Sequence, residues 1–189
     1  MSVDLGRIRA LAFDVDGVLT DGTVYIGASG EEMKRFSVQD GTALYWCRLL
    51  GYELALVSGR ESGATRRRAE ELGIRAVYQG VRDKRDRLES WALDHGLELD
   101  EVLYMGDDLI DLPVFDAVGV SVAPANAVAE VQRQAAHVTK RSGGDGAVRE
   151  AIEWLLSTTD RLDEATQLYR DELFRKVGID AGNPGQDDD

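Results

Sequence analysis

The chain has 189 residues, 22 basic against 35 acidic for a formal charge of −13, and one cysteine. That length fits one domain with a sizeable core, the acidity argues against binding a nucleic acid as a bulk polyanion, and a lone cysteine excludes an intramolecular disulfide. With no apolar run of membrane-spanning length and no charged-then-apolar leader, the expected location is the cytoplasm, away from the membrane, and no His or Cys cluster points to zinc.

The first apolar run, 8–13, predicts a buried strand, and it ends in Asp14-Val15-Asp16-Gly17. On an extended backbone residues two apart project to the same side, so Asp14 and Asp16 face one substrate atom together. Two carboxylates that close repel each other unless a cation lies between them. A divalent metal would resolve that cost and hold a phosphate against Asp14, so that the first carboxylate attacks phosphorus while the second handles the leaving-group proton. Taken alone, the stretch also fits an ordinary strand-end turn, since Asp and Gly are common there.

Next, 23–26 and 33–36, joined by 27–32, predict a β-hairpin, and no other segment is long enough for an independent cap domain. A site with only a hairpin for a lid would borrow cover from a neighbouring subunit, which predicts an oligomer. Beyond the hairpin, helical patterns at 40–50, 61–72, 82–95, 108–117, 125–134 and 145–156 alternate with apolar strands at 53–57, 75–78, 101–105 and 118–122. Leu49, Leu50, Leu72, Leu88, Trp91, Ile152 and Leu155 are expected core positions, and Gly51, Gly73 and Gly96 follow helices as left-handed closing residues. Cys47 fits a small core residue, and His95 and His137 fit structural positions. The alternation predicts an α/β fold: a doubly wound, mostly parallel Rossmann-like sheet whose ligands collect at the carboxyl ends of the strands.

Three of those strand ends carry chemistry. Strand 53–57 stops at Ser58-Gly59-Arg60, which offers a hydroxyl and backbone N–H groups to a phosphate. Lys84 follows strand 75–78 and is a fixed point charge for a phosphoryl oxygen. Strand 101–105 runs into Gly106-Asp107-Asp108-Leu109-Ile110-Asp111, which adds three carboxylates. Past 156, residues 161–176 predict an amphipathic helix with Leu162, Ala165, Tyr169 and Leu173 on one stripe, and 178–189 predict a disordered acidic tail.

In this order DVDG, SGR, Lys84 and GDDLID resemble the four motifs of the haloacid dehalogenase-like phosphohydrolases. The resemblance implies that Asp14 forms an aspartyl-phosphate and that Asp16 is the general acid and then the base. It implies Mg2+ held by the Asp14 side chain, the Asp16 backbone carbonyl and Asp107, with Asp108 and Asp111 supporting the metal loop. Ser58, Gly59 and Lys84 would hold the phosphoryl group, whose transition state needs positioning and charge neutralisation.

Added to these, Ser37-Val38-Gln39-Asp40-Gly41, Arg68, Tyr78-Gln79-Gly80 and the stretch Gly143 to Glu150 make residues 6 to 156 look like a capless subfamily, the 3-deoxy-D-manno-octulosonate 8-phosphate phosphatases. This implies a phosphatase domain over 1–156 with a flap at about 19–36, followed by the C-terminal helix within 157–177. It implies a homotetramer in which each hairpin and C-terminal segment closes a neighbour's site, and a product that feeds lipopolysaccharide synthesis. It places Arg60 and Arg68 at the substrate's carboxylate and Ser37, Val38, Gln39, Asp40 and Gly41 against its sugar, a role for Arg that suits a planar bidentate donor. Relatives acting on nine-carbon sugar-acid phosphates tend to carry Glu at the position of Arg60 and Lys near Glu71. Arg60 favours the eight-carbon substrate, while Glu71 matches neither pattern.

A non-turnover phospho-Asp signalling module is the alternative from another class, because receiver domains also gather acids, a hydroxyl and a lysine on a doubly wound sheet. In those, the phosphorylated Asp ends a middle strand alone. Here the middle strand ends in Ser58, and Asp16 supplies the acid/base that turnover needs.

Overall fold

Six short strands whose apolar side chains alternate between two faces organise the computed structural model, which describes residues 4–178. In chain order the elements are β1 (Ala10–Phe13), β2 (Tyr25–Ile26), β3 (Glu32–Met33), α1 (Val38–Leu49), β4 (Glu53–Val57), α2 (Gly63–Leu72), β5 (Ala76–Tyr78), α3 (Lys84–Asp94), β6 (Val102–Met105), α4 (Leu112–Phe115), β7 (Val120–Ala123), α5 (Ala129–Gln134), β8 (His137–Val138), α6 (Ala147–Thr158) and α7 (Leu162–Val177). The large sheet has the order β5-β4-β1-β6-β7-β8 with every pair parallel, and β2-β3 form a separate antiparallel hairpin. The chain winds outward from β1 through β4 to β5, then crosses to β6, so the first strand lies at the centre where the winding reverses. Crevices for ligands form at that reversal.

Leu11, Phe13, Leu54, Leu56, Leu103 and Met105 face one layer together with Leu44 and Cys47 of α1 and Ile152 and Leu155 of α6. Ala10, Ala12, Ala55, Val57 and Tyr104 face the other with Leu88 and Trp91 of α3, Val114 of α4 and Val131 of α5. Small alanines on the second face leave room for the fully buried Trp91. Burial pushes the Cys47 thiol far up from its usual range, as suits a small core residue. Leu49, Leu50 and Leu72, expected in the core, are only half-buried because they stand at helix ends. Gly51, Gly73 and Gly96 do close their helices with φ of +80°, +66° and +67°.

Other boundaries shift for local reasons. β1 starts at Ala10 because the N–H of Ile8 closes the turn Leu5–Arg7. The expected helix 108–117 divides into a turn, Leu109–Asp111, and α4, since Asp108 and Asp111 cap each other's backbone. β7 starts at Val120 because the N–H of Val118 still belongs to the end of α4. α5 starts at Ala129, residues 125–128 being a loop held by Asp107 O and Pro124 O. The stretch 37–41 is the cap and first turn of α1, which begins ahead of the expected residue 40, with the Ser37 side chain accepting from the Asp40 N–H. β8 was not predicted, two residues being too short to show a period. α7 packs on α1 through Tyr169, edge-on to Tyr45 and Trp46, with Ala165 buried, but Leu173 is exposed. Residues 179–189 of the expected acidic tail lie outside the described residues. No helix among those described is long and apolar enough to cross a membrane.

Candidate active site

Asp14 follows β1 directly, and its N–H still pairs with Met105 O at 2.9 Å, so the central sheet fixes its position. The side chain is nearly buried; Oδ1 accepts from the Val15 N–H at 2.7 Å and Oδ2 lies 2.9 Å from Lys84 Nζ. The chain then turns sharply at Gly17, where φ is +90° and a Cβ would overlap the Asp107 carboxylate. The buried Thr20 hydroxyl clips this turn, accepting from the N–H of Gly17 and Gly22 and donating to Val15 O. Behind it, the Asn126 amide donates to Gly17 O and accepts from the Gly143 N–H, while Gly144 N–H donates to Val18 O.

Lys84 is the first residue of α3, which Asp83 caps, and its Nζ also lies 2.7 Å from Asp111 Oδ1. That same oxygen accepts from the Tyr104 hydroxyl at 2.7 Å, and Asp111 Oδ2 accepts from the N–H groups of Asp107 and Asp108 at 2.9 and 3.2 Å. Asp111 is completely buried with both oxygens in use, so it shapes the acidic loop and holds the lysine. Oxygens of Asp14, Asp107 and Asp111 lie within 4.8 Å of one another. Three carboxylates facing one ammonium leave two negative charges uncompensated.

Burial first, then Lys84 opposing and Asp111 reinforcing, pushes the Asp14 carboxyl up to about 6. Burial, then Asp14 and Asp111, push Asp107 up to about 8. Burial opposes the charge on Lys84, but Asp14 and Asp111 outweigh it and hold the ammonium above its usual range. Asp107 Oδ1 is buried with no hydrogen-bond partner. A charge deficit of two, all-oxygen donors and an orphaned carboxylate oxygen are what a hard divalent cation fits.

The open side of this cluster is a cavity of about 440 Å³ that brings together Asp14, Asp16, Ser58, Gly59, Arg60, Lys84, Asp107 and Asp108. Ser58 extends β4, its N–H donating to Tyr78 O and its Oγ accepting from the Arg60 N–H, which leaves the hydroxyl proton free to donate. Arg68 and the stretch Ser37 to Gly41 are not on this cavity within one chain. The Arg68 guanidinium donates to Ser37 O at 3.2 Å over the Phe36 ring, and Gln39 pairs with Arg141. The Asp40 carboxylate accepts from Arg149 N–H at 2.8 Å and Gly146 N–H at 3.4 Å, capping α6. A second cavity, about 420 Å³, lies at the amino ends of the strands beside Arg48, Tyr52 and His95 and holds none of the four motifs.

Four residues that the sequence reading passed over belong to the surroundings of this site. Tyr104 sits in an apolar strand, where a buried hydroxyl must find a partner, and that alone could have flagged it. Lys34 and Glu32 reach in from the hairpin, Lys34 Nζ lying 2.6 Å from Asp16 Oδ1. Their only signal was alternate charges on a short strand. Asn126 gave none.

Residues 77–152 match the family model described as haloacid dehalogenase-like hydrolase. The chain is 43% identical over 163 residues to the 3-deoxy-D-manno-octulosonate 8-phosphate phosphatase KdsC of Escherichia coli (strain K12), covering 84% of this chain and 85% of that one. Among solved structures, the 3-deoxy-D-manno-octulosonate 8-phosphate phosphatase from Yersinia pestis is similar with a TM-score of 0.82 and 40% identity, over 84% of this chain and 86% of that chain. The phosphatase of the same name from Moraxella catarrhalis, in complex with magnesium ion, phosphate ion and a KDO molecule, has a TM-score of 0.84 at 36% identity, over 87% of this chain and 95% of that chain.

Proposed function

The chain belongs to the 3-deoxy-D-manno-octulosonate 8-phosphate phosphatase family of the haloacid dehalogenase-like hydrolases, and from that premise we propose that it hydrolyses 3-deoxy-D-manno-octulosonate 8-phosphate to the free sugar acid and inorganic phosphate. The observation that carries this reading is the buried Asp14 carboxylate, held at the mouth of the central strand by Val15 N–H and Lys84, with Asp16 beside it on the same cavity.

In the first half-reaction Asp14 attacks phosphorus and the bond from phosphorus to the sugar oxygen breaks. Asp16 gives that oxygen a proton as it leaves. In the second, water attacks the phosphorus of the aspartyl-phosphate, Asp16 takes the water's proton, and the bond to Asp14 breaks to regenerate the carboxylate. Lys84 Nζ and the Ser58 hydroxyl offer fixed donors to the phosphoryl oxygens, and their prior orientation spares reorganisation in the transition state. Asp14, Asp107 and the Asp16 carbonyl would hold Mg2+, which would supply neutralisation of the charge on the transferring group. Asp108 and Asp111 keep the loop of Asp107 in place.

Arg60, at the rim of the cavity, takes the carboxylate end of the substrate. Arg68 and Ser37 to Gly41 take part in substrate recognition from a neighbouring copy, in a homotetramer whose hairpins cover one another's sites. The exposed Tyr25, Ile26 and Met33 of the hairpin support that contact, being apolar surface that the described residues leave open to solvent. The enzyme acts in the cytoplasm on a precursor of lipopolysaccharide. A phosphate-release assay over eight- and nine-carbon sugar-acid phosphates, with and without Mg2+, tests the reading. Fast release from the eight-carbon substrate only with Mg2+ is the expected result, and preference for a nine-carbon acid would overturn the assignment of substrate.

A further inference from the structure

A closed ring of four charges joins the hairpin to the site. Lys34 Nζ is 2.6 Å from Asp16 Oδ1, Asp16 Oδ2 is 3.8 Å from Arg60 Nε, Arg60 Nη2 is 3.0 Å from Glu32 Oε2, and Glu32 Oε1 is 3.5 Å from Lys34 Nζ. Cation and anion alternate all the way round. The Lys34 side chain is 0% exposed, although the hairpin that carries it exposes Tyr25, Ile26 and Met33 to solvent. Withdrawing an ammonium from water is costly unless partners compensate, and this one directly follows the exposed Met33 at the end of β3. It points inward because two carboxylates meet it there.

The two oxygens of Asp16 are therefore unequal. Oδ1 is held by Lys34, while Oδ2 is buried with no hydrogen-bond partner. A free carboxylate turns easily about its last torsion, so an anchor on one oxygen decides where the other one points. We propose that Lys34 is a positioning residue for phosphate-ester hydrolysis: it grips Asp16 Oδ1 so that Oδ2 is the atom that gives and takes the proton, and Glu32 locks Lys34 and Arg60 in that arrangement. This rests on the reading of Asp16 as the acid/base. The hairpin is thus part of the proton-transfer apparatus as well as a cover.

The test compares Lys34→Met with Asp16→Asn, both with Mg2+, on the sugar-acid phosphate and on p-nitrophenyl phosphate. A nitrophenolate leaves without a proton, so a misplaced acid spares its first turnover but not that of a sugar alcohol. Lys34→Met is expected to lower kcat on the sugar-acid phosphate at least about tenfold, with KM changed by less than about threefold and the first-turnover burst of nitrophenolate within about twofold of the parent. Lys34→Arg recovers part of the loss. Glu32→Gln, which opens the ring one residue further out, gives the same selective loss by a smaller factor and serves if Lys34→Met does not fold. A burst that falls as far as the sugar-acid phosphate rate, or no loss on either substrate, would overturn the role of Lys34. Full turnover in Asp16→Asn would overturn the acid/base reading and this proposal with it. Lost turnover there beside intact turnover in Lys34→Met overturns the proposal alone.

Discussion

Both oxygens of Asp111 are engaged, by Lys84 and Tyr104 on one side and by two backbone N–H groups on the other. Removing the charge there takes one of two carboxylate partners from a buried lysine and reshapes the loop that carries Asp107. Asp111→Ala is expected to cost about 3 to 5 kcal/mol of stability, the usual penalty for breaking a buried pair, and to abolish phosphate release. Urea unfolding and a phosphate assay check the two halves; a stable, active variant would mean that the lysine is held by Asp14 alone. At this scale much of the site was legible, because Asp14, Asp16, Ser58 and Asp107 each stand just past an apolar run, where a strand end puts them in a crevice, and Lys84 opens the helix that follows another. Lys34 and Tyr104 were not, since their partners lie 18 and seven positions away and only the folded chain sets those pairs.

Elements hold Asp14 and its turn in place through a second loop. Gly143 lies so close to the turn at Gly17 that a Cβ there would run into Gly17 O, and Asn126 bridges the same two segments. Gly143→Ala must push the two loops apart, at a cost typical of overpacking, about 1 to 3 kcal/mol. Because Gly17 in turn abuts Asp107, the variant should also bind Mg2+ more weakly, which calorimetric titration would show; unchanged affinity would separate that loop from the site. The strand-helix alternation was readable from hydrophobic period, and the glycines marked helix ends. The order of strands, the break of 108–117 into a turn and a short helix, and β8 were not, since each is set by contacts remote in sequence or by too few residues. Arg68 is the case where the element decides: α2 keeps it off the cavity of its own chain. If it serves a neighbour's site, Arg68→Ala should slow hydrolysis of the sugar-acid phosphate far more than that of p-nitrophenyl phosphate, and equal losses would remove it from carboxylate recognition.

For the whole molecule, the clustered acids are a liability that a cation bound among them would relieve. Asp14 near 6 and Asp107 near 8 both stand above the ordinary 3.8, so folding favours their protonated forms. Their contribution to stability is therefore complete below about pH 4 and is lost as the pH rises through 6 and then 8. If Mg2+ replaces those protons, the rise in melting temperature on adding it should grow as the pH goes from about 5 to about 9. A shift independent of pH would place the cation elsewhere.

The most direct test of the account is chemical capture of the intermediate. Enzyme quenched during turnover of the sugar-acid phosphate with Mg2+ and reduced with borohydride should carry homoserine in place of Asp14, as found by peptide mass spectrometry. Rapid phosphate release with Asp14 unreduced, or with homoserine at another acid, would contradict it.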